Sequence, residues 1–396
     1  MKRLVSTALL CAVVALVPAI PSAAPAQSTE GLDMQAARAK MMTKRGRTVA
    51  YTKKFDLSGL PHYVPKAQVS GAIRIWGSNY ITDGMLGGYW EDAFRAFQPG
   101  VTFTWHMKTT LAAVPSLVFG VSDLGIGRKI TFAELEMYQR YTDCDPLEVS
   151  VATGAYDVPG WNPGFGIVVN RANPLSKITL AQLDGVFGAE RTGGWEGTSW
   201  RPQWARGPQA NIRTWGQLGL TGAWAKKPIH VYGLNLRYHQ ATEMSDKLLR
   251  GSDKWNEHLR IYANFVSKKG ALERGLNEDL ANDPLGIAYV AAPTTNLGRE
   301  GGSPALKILA VAARDGGPYV PYTLDTEQNR TYPLFDEIFA YANAAPGAPL
   351  DPKVLEFLRF TVSQEGQAAV MRDGKYLPLT ADVAKAQLAK LDALER

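Results

Sequence analysis

Four short segments of the chain carry side chains that donate hydrogen bonds to small anions. These side chains combine hydroxyl, amide, imidazole and guanidinium groups with one carboxylate: Ser78, Asn79, Thr109, Thr110, Ser122, Asp123, Arg128, Arg237, His239 and Thr242. A dehydrated tetrahedral oxyanion needs many fixed donors rather than one strong counter-charge. The pattern therefore predicts a binding site for a small oxyanion.

The carboxylate of Asp123 has a specific use in such a site. Phosphate near neutral pH retains a proton and can donate a hydrogen bond to a carboxylate, whereas sulfate has no proton to donate. We therefore expect Asp123 to select phosphate over sulfate. The alternative is that Asp123 is a turn residue that caps the segment after it.

The sequence contains none of the common catalytic or metal-binding signatures. Gly-x-Ser-x-Gly, His-Glu-x-x-His and Gly-x4-Gly-Lys-Ser/Thr are all absent. No pair of histidines has metal-ligand spacing, and Cys144 has no cysteine partner outside the first 26 residues, which excludes an internal disulfide. The sequence predicts no enzymatic activity, no cofactor and no bound metal.

A strand, a polar turn and a helix are predicted in residues 73–97. Ile73 and Ile75 indicate a buried strand, and apolar residues recur at helical spacing after an N-cap at Thr82 or Asp83. Free backbone N–H groups and the helix dipole would point at an anion in the turn. An ordinary strand–helix connection without a ligand is the alternative.

Strands alternate with helices along most of the chain, which predicts an α/β fold with parallel strands. Two such units would leave a cleft between them. Ligands of open parallel sheets gather at the carboxyl ends of the strands. We therefore expect the loops after the first three strands, and the loop after the strand at residues 229–232, to converge.

The first 26 residues predict a cleavable signal peptide. Their apolar run, residues 9–17, is too short to span a membrane, and small residues at 24 and 26 fit a cleavage site before Gln27. We therefore expect export to the periplasm. Residues 27–68 are polar and basic, and we interpret them as a solvated N-terminal arm.

Charge and composition exclude one class of function. The chain has 396 residues and a net charge of +6; removing Lys2 and Arg3 leaves 41 basic against 37 acidic residues, a net charge of about +4. This mild positive balance suits an anionic ligand. No basic stripe interleaved with aromatic residues occurs, and we therefore expect no nucleic-acid partner.

From about Gly71 to Thr380 the chain resembles the PstS-like phosphate-binding periplasmic proteins, the substrate-binding components of ABC importers. The best-matched stretches are residues 173–183, 214–220, 282–289, 349–352, 363–367 and 376–379. The resemblance implies a two-lobe periplasmic binding protein of type II that captures phosphate or a similar small oxyanion in a cleft. It further implies a monomer that delivers this ligand to an inner-membrane ABC permease. Lobe 1 would comprise residues 69–165 and 330–396, and lobe 2 residues 166–329.

The ligand positions of the family carry over unevenly. Residues 77–79 resemble its first anion loop, residues 109–110 its second, and Ser122-Asp123 its small residue followed by Asp, with Arg128 as a basic residue just after. The fourth loop departs, because Gln240-Ala241-Thr242 replaces the Ser-Gly-Thr of the family.

In this fourth loop the family also carries an Arg, whereas Leu234 has no charge. Arg237 or His239 would have to supply the missing positive charge. Three alternatives therefore stay open. The protein could be an orphan binding or sensor protein of the same fold with a different small ligand. It could be a secreted phosphatase-like enzyme, or an envelope protein that binds polymers through its basic arm.

Overall fold

The computed structural model describes residues 50–158, 161–236, 239–263, 275–291, 303–345, 347 and 349–394. The predicted signal peptide, the first part of the predicted arm and Arg237 lie outside these residues. Within the described residues, no helix combines the length and the apolar character that crossing a membrane requires.

Strands and helices alternate in the first part of the chain, as predicted, but farther along several strands follow one another without an α-helix between them, and both main sheets are mixed rather than parallel. The strands are β1 (Ser70–Gly77), β2 (Gly100–His106), β3 (Leu124–Gly127), β4 (Leu147–Ala155), β5 (Phe165–Asn170), β6 (Lys177–Thr179), β7 (Gly194–Glu196), β8 (Ser199–Arg201), β9 (His230–Leu234), β10 (Arg260–Tyr262), β11 (Gly286–Ala291), β12 (Leu306–Ile308), β13 (Ala310–Ala312), β14 (Glu337–Ala342) and β15 (Tyr376–Leu377). The helices are α1 (Tyr80–Asp83), α2 (Leu86–Arg95), α3 (Ala113–Val118), α4 (Phe132–Thr142), α5 (Leu180–Phe187), α6 (His239–Leu249), α7 (Leu276–Ala281), α8 (Leu324–Gln328), α9 (Pro352–Thr361), α10 (Gln364–Asp373) and α11 (Ala381–Ala393).

The first main sheet has the strand order β15-β4-β14-β3-β1-β2. Strand β1 runs parallel to both β2 and β3, whereas β14 is antiparallel to β3 and β4. Helix α2 covers this sheet because Leu86, Trp90 and Phe94 repeat every four residues and are fully buried. The ring of Phe94 contacts that of Phe357 on α9, with centroids 5.3 Å apart.

The second main sheet has the order β10-β9-β11-β5-β12. A separate apolar core packs on it, including Leu183 and Phe187 of α5 and Met244 and Leu248 of α6. Two two-stranded sheets, β13-β6 and β7-β8, complete the pairing of the described strands. Each main sheet with its helices forms one lobe, and the prediction of a two-lobe α/β fold is confirmed.

The chain crosses between the two main sheets in two segments, from β4 to β5 and from β13 to β14. Backbone hydrogen bonds tie these segments together: the N–H of Gly154 donates to the carbonyl of Asp336 (2.7 Å), and that of Phe165 donates to Leu334 (3.0 Å). The hydroxyl of Tyr332 also donates to the carbonyl of Phe165 (2.8 Å). These hydrogen bonds hold the two crossing segments side by side.

The described part of the predicted arm, residues 50–68, is not a solvated extension. Leu57, Leu60 and Tyr63 are buried in the core of the first sheet. The hydroxyl of Tyr63 donates to a carboxylate oxygen of Glu356 on α9 (2.6 Å). The expectation is wrong for these residues because three apolar side chains spaced by three residues anchor the segment despite its basic composition.

Candidate functional site

The turn after β1 is shaped by Gly77, whose φ of +141° favours glycine. A Cβ atom at this position would lie 1.9 Å from the carbonyl oxygen of Ile126 on β3, so only glycine permits this close approach. The next residue, Ser78, is buried, and its N–H donates to the same carbonyl (2.8 Å). Ser78 therefore lies at the carboxyl end of β1, beside the end of β3.

The helix after this turn differs from the prediction. Asn79 precedes α1, which ends at Asp83, and α2 begins three residues later at Leu86. The side-chain amide of Asn79 donates to Asp83 (2.5 Å) instead of capping the helix. Neither Thr82 nor Asp83 is the N-cap of a long helix, because the chain turns again at Gly84.

Thr110 and Arg128 meet where β2 and β3 end. Thr109, whose side chain is exposed, caps a 3₁₀ turn, and its Oγ1 accepts a hydrogen bond from the N–H of Leu111 (3.3 Å). Thr110 Oγ1 accepts from the N–H of Arg128 (3.2 Å). Gly127 makes this contact possible, because a Cβ there would lie 2.3 Å from Thr110 Oγ1.

Arg128 is buried but not free. Its Nη1 donates to Glu134 Oε2 (2.9 Å) and to the carbonyl of Lys129 (2.7 Å), and its Nη2 donates to Glu134 Oε1 (3.2 Å). Burial disfavours the guanidinium cation, yet the carboxylate of Glu134 outweighs this penalty and raises the pKa of Arg128. Its Nε is buried and has no hydrogen-bond partner within the described residues.

Helix α6 of the second lobe faces this guanidinium. Burial, followed by the charge of Arg128, lowers the pKa of His239 to about 4, so the imidazole is neutral at pH 7. Glu243 lies one turn later on the same helix face and is also buried. Burial and the nearby Asp336 raise the pKa of Glu243 well above its usual value, although Arg128 opposes this shift.

Glu243 was missed by the sequence reasoning. Its Oε1 has no hydrogen-bond partner among the described residues, as is also true of Arg128 Nε. The available signal was its i,i+4 relation to His239, with apolar residues around it on the helix. We call Ser78, Thr110, Arg128, His239 and Glu243 the Arg128 cluster.

Three predicted residues flank this cluster, and a fourth lies outside the described residues. Asn79 follows Ser78, and Thr109 precedes Thr110. Thr242 lies in the first turn of α6 and is partly buried. Arg237 lies outside the described residues, so its proposed compensation of the fourth loop stays a prediction.

Ser122 and Asp123 are not brought to the Arg128 cluster. They precede β3, and the parallel register pairs Ile75 of β1 with Leu124. Asp123 is therefore level with Arg74, four residues before Ser78, or about 13 Å away at ~3.3 Å per residue. The sequence pattern did not reveal that β3 begins only at Leu124, which leaves both residues before the amino end of this strand.

Both side chains have other partners. Ser122 Oγ lies 2.7 Å from Ser116 Oγ. Asp123 accepts hydrogen bonds from the backbone N–H (2.7 Å) and from Nη2 (2.7 Å) of Arg74. Burial would raise the pKa of Asp123, but the contacts with Arg74 outweigh it and lower this pKa. Asp123 is therefore an ionised partner of Arg74.

No group of three or more His, Cys, Asp or Glu side chains within the described ranges is arranged to hold a metal ion. The Arg128 cluster offers neutral donors, one compensated cation and one carboxyl group with a raised pKa. Such a set can bind a small polar anion.

Comparisons with known proteins agree with this architecture. Residues 64–365 match the PBP superfamily domain. The chain is 29% identical to the phosphate-binding protein PstS of Pseudomonas aeruginosa over 333 residues, which is 84% of this chain and 90% of that protein. The resemblance to PstS-like proteins is thereby confirmed.

Among solved structures, PstS from Borrelia burgdorferi shares 14% identity with a TM-score of 0.49, covering 78% of this chain and 100% of the other. An ABC-type phosphate transport receptor from Vibrio cholerae shares 15% identity with a TM-score of 0.44, covering 77% and 99%. With more than half of its length matched by the family, this chain belongs to the PBP superfamily.

Proposed function

We propose that the protein captures phosphate, or a similar small oxyanion, between its two lobes. The observation that carries this proposal is the match over 90% of the length of a relative named as a phosphate-binding protein. The Arg128 cluster supports it, because Thr110 of the first lobe bonds the backbone N–H of the buried Arg128, and His239 of the second lobe lies close enough for the charge of Arg128 to lower its pKa. Hinge closure at the two crossings would enclose the ligand.

The cellular role follows from the same proposal. The signal peptide would export the protein to the periplasm, and an inner-membrane ABC permease would receive the phosphate. Fractionation of expressing cells should recover the protein in the periplasm with Gln27 at its N-terminus. The relatives are binding proteins, so we expect no hydrolysis of p-nitrophenyl phosphate; sustained release of p-nitrophenolate would favour the phosphatase-like alternative instead.

Isothermal titration of the purified protein with phosphate and with sulfate tests the ligand. We expect phosphate to bind and Arg128→Met to weaken its binding at least about tenfold, because a buried charge-assisted hydrogen bond is worth ~1.5–3 kcal/mol. Asp123→Asn is the matched control, since Asp123 precedes the amino end of β3, about 13 Å from Ser78 at ~3.3 Å per residue, and it should change the affinity less than about twofold.

The two variants also separate the competing assignments. A large loss in Asp123→Asn with no loss in Arg128→Met would restore the sequence-based assignment of Asp123 and refute the Arg128 cluster. Binding of another small anion in place of phosphate would favour the orphan-binder alternative.

A further inference from the structure

A cavity of about 540 Å³ lies between the first lobe and the hairpin of β7 and β8. Lys129, Phe132 and Glu148 of the first lobe line it, together with Trp195 of the hairpin and Asp246 of α6. Among the described residues that form its wall, none belongs to the Arg128 cluster. Pockets of about 300–1,000 Å³ enclose whole organic ligands. The cavity is therefore a candidate binding site separate from the proposed oxyanion site.

The wall of this cavity carries more acidic than basic side chains. Five charged residues line it: Lys129, Lys390, Asp145, Glu148 and Asp246. Both ammonium groups are engaged, because Lys129 Nζ donates to Glu148 Oε2 (2.7 Å) and Lys390 Nζ donates to the carbonyl of Glu148. Asp145 accepts a hydrogen bond from the side-chain amide of Gln139 (2.7 Å). The three carboxylates outnumber the two ammonium groups, so the wall favours a positively charged ligand.

The carboxylate of Asp246 is the charged group of this wall that is left over. It is exposed, and it makes no hydrogen bond or ion pair with any residue that the structure describes. Partial desolvation raises the pKa of Asp246 to about 6, although the charges of Lys247 and Lys129 oppose this shift. The carboxylate is therefore ionised at pH 8 and can accept a charge-assisted hydrogen bond or pair with a cation.

Two partly exposed aromatic rings lie beside this carboxylate. The centroids of Phe132 and Trp195 lie 4.8 Å apart, and the two residues remain 40% and 36% exposed. A Cβ at Gly251 would lie 3.2 Å from Trp195 Cβ and 3.4 Å from Asp246 Oδ1, so both side chains adjoin Gly251. The face of an aromatic ring attracts an organic ammonium group, and tryptophan does so best. Carboxylate and rings together complement a cation that carries apolar groups.

We infer that this cavity binds a small organic cation with apolar substituents, such as a quaternary ammonium compound. Its positive charge pairs with Asp246, and its alkyl groups pack against Trp195 and Phe132. Because Phe132 belongs to the first lobe and Asp246 to the second, the ligand contacts both lobes. Binding involves no covalent step, and it does not depend on the proposed capture of phosphate.

Calorimetric titration of the purified protein at pH 8 with choline and with 3,3-dimethylbutanol tests this inference. The two probes have nearly the same shape, but only choline carries a positive charge. We expect choline to bind at least about tenfold more tightly, because the carboxylate and the ring faces attract the charge and not the alkyl groups. Inorganic phosphate is titrated in parallel and reports on the oxyanion site.

Two substitutions locate the cation. Asp246→Asn and Trp195→Ala should each weaken choline binding about tenfold and leave the affinity for phosphate within about twofold. Asp253→Asn is the matched control, since the side chain of Asp253 is 86% exposed and does not line the cavity. Circular dichroism monitors folding, and Trp195→Phe, which keeps an aromatic face, should retain most of the choline affinity if Trp195→Ala perturbs the hairpin.

The possible failures are distinct. No choline binding at millimolar concentrations, or equal affinity for choline and 3,3-dimethylbutanol, would overturn the inference. Choline binding that is unchanged by both Asp246→Asn and Trp195→Ala would also overturn it, because the cation would then bind elsewhere. Failure of phosphate to bind would contradict the proposed function alone and leave the cation site standing.

Discussion

Arg128 supplies the positive charge of the candidate site, and the carboxylate of Glu134 compensates this charge. The pair is almost wholly buried, with 3% and 12% of the two side chains exposed. Glu134 also completes the capping box of α4 by accepting from the N–H of Thr131 (2.9 Å). One carboxylate thus starts a helix and neutralises the guanidinium that a bound oxyanion would contact. An incoming anion must compete with Glu134.

Replacing Glu134 by Gln tests this competition. Glu134→Gln leaves a buried guanidinium without its counter-ion, and removal of one partner of a buried pair costs about 3–5 kcal/mol. We expect urea denaturation to show a loss of that size in the free energy of unfolding. Because the cation is then uncompensated, added phosphate should recover a larger share of stability in the variant than in the wild type.

Glu136→Gln is the control on the same helix. Glu136 pairs with Arg140 at 3.5 Å, and both side chains are largely exposed, so the change should stay within about 0.5 kcal/mol. Equal phosphate stabilisation of wild type and Glu134→Gln would contradict the proposed competition.

Residues of the candidate site could be predicted from the sequence where they directly follow a strand. Ser78, Thr110 and Arg128 follow β1, β2 and β3, so the carboxyl-end rule brought them together. Asp123 was misplaced because the sequence pattern does not show where a four-residue strand begins. Glu243 was missed because its burial depends on the second lobe facing the first, which no local pattern contains.

At the scale of elements, β3 positions the site because α3 lies directly against it. A Cβ atom at Gly125 would lie 2.2 Å from the carbonyl oxygen of Ala113, the first residue of α3. Both atoms belong to packed backbone, so neither can move without displacing the helix or the strand. Gly125 thereby holds the turn of Thr110 next to Arg128.

Gly125→Ala should separate α3 from β3. We expect a loss of about 1–3 kcal/mol in the free energy of unfolding, the usual cost of overpacking, together with weaker phosphate binding. Gly88→Ala on α2 is the matched control, because a Cβ there meets nothing within 4 Å and alanine favours helix by up to ~1 kcal/mol. Unchanged melting temperature and affinity in Gly125→Ala would show that the helix adjusts freely.

The sequence predicts the longer strands and helices better than it predicts short hairpins. The alternation of strands and helices and the capping of α5 by Thr179 follow local rules that the chain obeys. The hairpin of β7 and β8 lies in residues 188–211, whose sequence lacks any periodicity. Two three-residue strands are too short to produce a periodic signal, so only tertiary packing reveals the hairpin that carries Trp195.

At the scale of the whole molecule, the two crossings between the sheets enclose a buried acid. Glu327 on α8 is fully buried, and its Oε1 accepts from the N–H of Asp336 (3.1 Å). Gly164 of the other crossing lies so close that a Cβ there would be 2.4 Å from Glu327 Oε2. Burial raises the pKa of Glu327 well above its usual value, although the hydrogen bond from the N–H of Asp336 opposes this shift. The crossings therefore contain a carboxyl group that keeps its proton to higher pH than an exposed glutamate does.

This raised pKa links the stability of the crossings to pH. The folded protein retains the proton of Glu327 at pH values where the unfolded chain, with a pKa near 4.5, has released it. Its contribution is fully present below pH 4.5 and is lost as pH rises toward the folded pKa, by up to ~1.4 kcal/mol per pH unit. Glu327→Gln replaces the protonated acid by a neutral group of the same shape and should remove this dependence.

We therefore expect the free energy of unfolding of the wild type to fall more steeply between pH 5 and pH 7 than that of Glu327→Gln, measured by urea denaturation at each pH. Asp325→Asn on the same helix is the control, because Asp325 is exposed and pairs with Lys53 at the surface, so its slope should match the wild type. Burial raises the pKa of Asp336 to about 6, so Asp336 also contributes to the slope. Because Asp336 is present in both proteins, the difference between their slopes reports on Glu327. Parallel wild-type and Glu327→Gln curves would mean that the carboxyl group ionises within the folded crossings at no cost.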